Sequence, residues 1–385
     1  MQLKKIKMTP KERITLAFQN RKPDRVPVSP ELWDVIPIKV SGRPFHEYSA
    51  SSFGKFPLWR AQLDAYKFFD CEAWIPVEPG MSQRQKRIIS ADSYFVNPDL
   101  IKTDVIYKTS KGNLKEVKHS VPDYDMWSLK RPIENLFEDM PKYEEFFFDD
   151  PADLDYETIN EANRETGDYG ICEGIIGNTF FEFLTLAREG GAVQVIFDLN
   201  DNPDFFAPIQ KRYNDYLASI AEQVIKNTEV DGIFLNCGSS VLTVISPEMF
   251  KLWDLPLIKN IGDIAKKHGK IFHYHLHGKG RTLLDSLVEA GVTMLCPLEK
   301  APKGDFDLKE IKQKFGGSLA LKGNIDPFFL NTASPEEIDR EVKKCIEDAG
   351  KKGGFTLASA DGVLKDTPFE NITRLVKACK EYGVY

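Results

Sequence analysis

The sequence predicts an α/β fold in which parallel strands alternate with helices and close into a barrel. After Asp168, short apolar runs at residues 169–176, 232–235, 270–277, 293–298, 319–324 and 355–358 are separated by helical patterns. Strands spaced by helices call for a parallel sheet with right-handed crossovers, and this number of repeats favours closure over an open sheet. A second observation is the Ser/Thr-Pro pair ahead of four helical runs: Thr9-Pro10, Ser246-Pro247, Ser334-Pro335 and Thr367-Pro368. The hydroxyl caps free amides and proline fits the first turn, so the chain passes repeatedly from loop to helix.

Taken in order, Thr9-Pro10-Lys11-Glu12 is a capping-box pattern and predicts a helix to about Gln19. Residues 21–28 turn and enter an extended piece. At residues 82–151 the pattern changes: 104–107 and 114–121 flank a Ser110-Lys111-Gly112-Asn113 turn and read as a β-hairpin insertion over one end of the barrel. Residues 204–227 carry Ile209, Tyr213, Leu217, Ile220 and Val224 on one helical stripe. With 42% hydrophobic residues, the 385-residue chain reads as a single barrel domain, 1–385, around a substantial core.

Composition also excludes functions. A net charge of -7 argues against nucleic-acid binding. No apolar run approaches the roughly 20 residues of a membrane span. The basic opening MQLKKIKMTPKERI lacks a signal peptide's apolar stretch, so the expectation is a cytoplasmic protein without a membrane partner. The six cysteines have no paired metal spacing, which fits reduced thiols; Cys172, Cys237 and Cys296 fall in strand-like runs that can reach a central cavity. There is no GxGxxG or Walker loop, which disfavours a nucleotide cofactor.

The chemistry concentrates in IFHYHLHGKG, residues 271–280, which holds three of the six histidines. Alternate residues of a strand share a face, so His273, His275 and His277 climb one face toward the barrel mouth. Such histidines are either hydrogen-bonded core groups or ligands of a divalent metal, zinc first. His275 and His277 lie nearest the mouth and are the expected ligands, while deeper His273 is expected to be structural. Where the other strands run out stand Glu173, Asn236 with Cys237, Glu299, Asn324 with Asp326, and Asp361. Any one of them can be a cap or a surface pair. As a set at one mouth they make a carboxylate-rich cavity, in which Asp361 joins His275 and His277 in a three-ligand site.

The segments KERITLAFQNRKPDRVPV, ISPEMFKLWDLPLIKNI, HLHGKGRTLLDSLVEAGVTMLCPLE, GNIDP and DTPFENITRLVKAC jointly resemble the uroporphyrinogen decarboxylase superfamily. The resemblance implies a (β/α)8 TIM barrel, here with an N-terminal helical extension. It implies one of two activities: porphyrinogen decarboxylation for heme biosynthesis, or zinc-dependent methyl transfer involving a corrinoid protein. The decarboxylase branch carries an early arginine-rich RQAGR and an FSDIL-like segment. In SPELWDVIPIKVSGRPFHEY only Gly42-Arg43 matches, Asp70 stands in a different setting, and Leu186 replaces an expected tyrosine. The methyltransferase branch has a His-x-Cys-Gly motif and a late cysteine, matched here by His275-Leu276-His277-Gly278 and, counting back from Asp366-Thr367-Pro368, by Asp361.

Both thiolates are thus replaced by other zinc-binding residues. The resemblance therefore implies zinc, a methylcorrinoid on a corrinoid-binding partner, and a small-molecule methyl donor or acceptor. Glu173, Glu299 and Asp326 are the candidate catalytic acids; Asn236, Cys237 and Asn324 are candidate substrate contacts. A His/His/Asp set leaves the metal more electrophilic than a thiolate set, so an ether or amine donor is expected rather than an activated thiol. Alternatives are the decarboxylase, a non-catalytic binding barrel, and a metal-dependent hydrolase. The hydrolase reading suits His-x-His on a first strand, whereas here the pair lies two-thirds along the chain. Oligomeric state is open, a homodimer included.

Overall fold

The computed structural model describes residues 8–49 and 53–385; residues 1–7 of the basic opening lie outside them. The strands are β1 Ala73–Val77, β2 Ile89–Asn97, β3 Leu100–Thr109, β4 Gly112–Val121, β5 Tyr124–Lys130, β6 Gly170–Asn178, β7 Gly232–Cys237, β8 Ile271–Leu276, β9 Met294–Pro297, β10 Ala320–Ile325 and β11 Phe355–Ser359. Seven of them form one sheet in the order β1-β6-β7-β8-β9-β10-β11, with each neighbouring pair parallel. An eighth stave closes the ring. Around Val28 the extended chain bridges Leu357 of β11, with Ser29 N donating to Leu357 O at 2.8 Å, while Glu72 N, just before β1, donates to Val28 O at 3.1 Å. The structure is the TIM-barrel-like α/β fold that the strand and helix alternation predicts.

All six expected strands are present. The strand β1 escapes sequence reading because Pro76 interrupts it, and a proline argues against a strand unless its missing amide falls at an edge or a start. Helix Pro203–Asn227 buries the expected stripe, Ile209, Tyr213, Leu217, Ile220 and Val224, against the barrel. Thr9, Ser246 and Ser334 each accept an amide at a helix start as expected; Thr367 does not, and its helix runs Phe369–Tyr382.

The floor of the barrel is closed by helix Pro10–Phe18. Thr9 Oγ1 accepts from Glu12 N (3.1 Å) and Glu12 Oε2 accepts from Thr9 N (2.8 Å), a reciprocal cap that fixes where the helix begins. Ile14 and Phe18 then enter the barrel interior and pack with Trp74, Ile171, Phe234, Ile271, Met294 and Ala320. Beside them, buried Glu72 receives Arg13 Nη1 (2.8 Å), Arg25 Nη2 (2.6 Å) and the amide of Val28 (2.9 Å). That carboxylate ties the floor helix, the eighth stave and the approach to β1 together.

The insertion is larger than the expected hairpin. β3 and β4 are flanked by β2 and β5, giving a four-stranded antiparallel sheet. Alternate residues of β3 turn inward, and Val105, Tyr107 and Leu114 pack against Tyr143 and Phe146 of helix Leu136–Phe147, so the insertion has a small core of its own. Phe147 packs at a tilt against Phe183 on helix Phe180–Ala187, with centroids 4.6 Å apart, and Asp123 pairs with Lys365 at 2.7 Å. Those contacts place it beside the mouth, as expected. Among the described residues no helix is long and apolar enough to cross a membrane.

Candidate active site at the barrel mouth

With the floor plugged, the interior opens where the strands end. A cavity of about 660 Å³ lies there, lined by Trp33, Asp34, Glu78, Asn178, Phe234, Asn236, His275, His277 and Asp361 with neighbouring residues. His275 is near the end of β8 and His277 just beyond it, where the chain turns at Gly278 with φ +61. Gly278 is needed for two reasons. That backbone conformation suits glycine, and a Cβ there would stand 2.7 Å from Thr243 Oγ1.

His277, Glu299 and Asp361 each present a ligand atom, and these atoms lie within 4.8 Å of one another. Glu299 Oε2 is 3.6 Å from His277 Nδ1 and also accepts the amide of Gly278. Asp361 Oδ1 accepts Gly362 N at 2.6 Å, the Asp-Gly turn, so its capping role and its place in the cluster coexist. Burial works to lower the His277 pKa, but Glu299 and Asp361 outweigh it and hold the imidazole above its usual value. Burial likewise tends to raise Glu299, yet His277 and the Gly278 amide keep it below the ordinary carboxylate range. Two carboxylates and an imidazole that attract positive charge fit a divalent ion. The gathered trio shares His277 and Asp361 with the set read from the sequence and has Glu299 where His275 was expected.

His275 stands directly alongside. Its Nε2 lies 2.7 Å from His277 Nε2, and its Nδ1 lies 2.9 Å from Cys296 Sγ. Burial, then the neighbouring imidazoles His277 and His273, push its pKa well below the usual value. His273 is deeper and fully buried, between Glu173 Oε2 (2.7 Å) and Cys296 Sγ (3.0 Å), the structural role expected of it.

Several strand-end residues do not reach the cavity. Glu173 is a correction: β6 runs on to Asn178, so Glu173 is mid-strand beneath the cavity, held by Trp74 Nε1 at 2.6 Å, and Asn178 takes the place at the mouth. Asp326 caps helix Pro327–Thr332, accepting Phe328 N at 2.7 Å and Phe329 N at 3.1 Å. Asn324 is buried, with Oδ1 3.7 Å from Cys345 Sγ. Cys237 donates to Ser240 O at 2.9 Å; neighbours on a strand face opposite ways, so it points outward while Asn236 lines the cavity and donates to Asn178 Oδ1 at 2.8 Å. Lys322 is buried against Glu31 and lies 4.1 Å from the Trp74 ring.

Glu78 is a cavity residue that the strand-end reading misses. It follows β1, and its carboxylate has no hydrogen bond or ion pair among the described residues. Its side chain is exposed where it opens to the cavity, while the protein packed around it pushes its pKa upward. The signal is present as WIPVEPG, an apolar run ending in a carboxylate before a Pro-Gly turn.

A parallel α/β barrel with titratable groups gathered at the strand ends defines an enzyme class in which chemistry is done at that mouth. The particular family follows from comparison. The family model described as Uroporphyrinogen decarboxylase (URO-D) matches residues 151–382, and the chain belongs to that family. Among curated relatives, the uroporphyrinogen decarboxylase of Trichodesmium erythraeum is 29% identical over 155 residues, 38% of this chain and 42% of that protein. Uroporphyrinogen decarboxylase 2, chloroplastic, of Oryza sativa is 24% identical over 230 residues, 58% of this chain and 56% of that one. The chain spans about half the length of the curated relatives it matches. Among solved structures, a methyltransferase from Methanosarcina mazei superposes with a TM-score of 0.64 at 18% identity, covering 97% of this chain and 99% of the other. At that identity the similarity is one of fold.

Proposed function

We propose that the chain is a zinc-dependent methyltransferase that moves a methyl group between a small-molecule donor and a corrinoid carried by a partner protein. The observation that carries this reading is the convergence of His277, Glu299 and Asp361 at the mouth, beside His275 and without a thiolate. These residues would hold the ion. When bound, zinc supplies Lewis acidity toward the oxygen or nitrogen from which the methyl group leaves, and a set of imidazoles and carboxylates favours that use over thiol activation.

The chain's own side chains supply the rest. Trp33 and Phe234 give the cavity an apolar wall on which a donor can be positioned, and the Asn236–Asn178 pair offers polar anchors. Glu78, exposed on the cavity lining, would be the group to hand a proton to the departing heteroatom. Methyl transfer from ethers, amines and thiols to a reduced corrinoid protein tests the reading. The expected result is turnover with an ether or amine; preference for a thiol overturns it.

A second reading, decarboxylation of a porphyrinogen, is favoured by the relatives' name. Against it, the cavity lining contains no arginine among the described residues, and its Lys365 is engaged by Asp123 at 2.7 Å. A tetrapyrrole bearing eight carboxylates requires several basic anchors. Incubation with uroporphyrinogen is expected to release no carbon dioxide.

A further inference from the structure

Under the cavity, four strands contribute one continuous line of buried polar side chains: Trp74 from β1, Glu173 from β6, His273 and His275 from β8, and Cys296 from β9. The contacts run from Trp74 Nε1 to Glu173 Oε2 (2.6 Å), on to His273 Nδ1 (2.7 Å), from His273 Nε2 to Cys296 Sγ (3.0 Å), and from Sγ to His275 Nδ1 (2.9 Å). The line ends at His275 Nε2, which faces His277 Nε2 at 2.7 Å. The strand register builds it, since His275 and Cys296 are direct partners across β8 and β9.

The direction of hydrogen bonding along this line is set at its deep end. An indole N–H can only donate, so Glu173 Oε2 accepts from Trp74. As a carboxylate, Glu173 can only accept, so His273 Nδ1, which faces that same oxygen, carries the hydrogen. In a neutral imidazole this leaves His273 Nε2 as an acceptor, and the one hydrogen Cys296 has as a thiol goes to it. The sulfur is then an acceptor for His275 Nδ1–H. With its hydrogen at Nδ1, His275 presents a bare lone pair at Nε2.

We propose that the Trp74–Glu173–His273–Cys296 relay holds His275 in its Nδ1–H tautomer, so that Nε2 is kept aimed at the cavity as a ready metal ligand. Glu173, His273 and Cys296 are positioning residues, and His275 would serve as a further donor beside the His277, Glu299 and Asp361 cluster. The use made of that lone pair rests on the proposed function; the tautomer itself does not. Opposite polarity would need either hydrogens on both nitrogens of His273 or a hydrogen on Glu173 Oε2, and would leave His275 Nε2 carrying hydrogen, blocked for a metal.

The test is two-bond 1H–15N correlation spectroscopy at pH 8 on the full chain, labelled with 15N-histidine, stripped of metal by chelator, and assigned by single substitutions. His273 and His275 are both expected to show pyrrole-type Nδ1 and pyridine-type Nε2. Cys296→Ala should release His275 from that tautomer, while Cys296→Ser, which retains one donor and its lone pairs, should preserve it. Hydrogen on His275 Nε2 in the unsubstituted chain, or an unchanged tautomer in Cys296→Ala, overturns the proposal. The unsubstituted measurement decides even if Cys296→Ala fails to fold. Zinc affinity, titrated separately, should fall about 10–100-fold in Cys296→Ala and recover in Cys296→Ser. If the tautomer is as expected but zinc does not bind, the relay stands and the proposed function falls; if zinc binds a chain with the opposite tautomer, the metal centre stands and the relay falls.

Discussion

The floor and the mouth of this barrel use the same kinds of side chain to opposite ends. At the floor, the Glu72 carboxylate is saturated by Arg13, Arg25 and the Val28 amide. At the mouth, Glu299 and Asp361 crowd a single imidazole, and Glu78 has no partner among the described residues. A buried charge with all its partners holds elements together, whereas charges gathered without full compensation are held in place to receive something else. The difference teaches where stability and function are separable in this chain.

The comparison breaks most severely if the floor tolerates loss of its carboxylate. Glu72→Ala leaves Arg13, 3% exposed, without that partner. It should destabilise the chain by about 3–5 kcal/mol, measured by urea unfolding. A loss below about 1 kcal/mol would mean that the closure at Val28 does not depend on this network.

Behind the mouth, pH sharpens the contrast. Asp254 is fully buried, takes the Phe181 amide at 2.9 Å and the Ser240 hydroxyl, and burial pushes its carboxyl up to about 7. Its folded form holds a proton that the unfolded chain has already released, so stability should fall as pH rises from about 4 to about 7. At one pKa unit per roughly 1.4 kcal/mol, the effect is of the order of a few kcal/mol. Asp254→Asn should match the unsubstituted chain near pH 4 and exceed it at pH 8; parallel curves would sink the assignment.

A smaller effect is expected at the turn. Gly278→Ala forces a side chain into φ +61 and against Thr243, costing about 1–2 kcal/mol by thermal unfolding while displacing His277 and weakening metal uptake. Metal uptake unchanged in a destabilised variant would separate the turn from the site.

Much of the mouth is legible in the sequence because it lies where strand periodicity gives way to glycine. That rule places His275, His277 and Asp361, and the end of β9 places Glu299. It misplaces Glu173, which already lies inside the expected 169–176 run rather than at its end, and β6 continues through Gly177 to Asn178. Cys237 does not accompany Asn236 into the cavity, since adjacent strand residues face opposite sides. Glu78 is hidden by proline, since Pro76 interrupts β1, whereas the extended piece expected after residue 21 is present and its pairing as the eighth stave emerges only in three dimensions. The buried relay is legible only in three dimensions, since Glu173 and Cys296 stand about a hundred and twenty residues apart in the chain and meet only through His273.

The least disturbance to the fold, and the sharpest effect on the site, should come from His277→Ala. Its side chain is 23% exposed, and its removal relieves no floor contact, so unfolding should shift little. The decisive measurement is metal analysis of the full chain purified without chelator, beside this variant. One zinc per chain, lost in His277→Ala with the fold intact, is the expected result; a folded chain that takes up no zinc, or that keeps it without His277, contradicts a metal centre at the mouth.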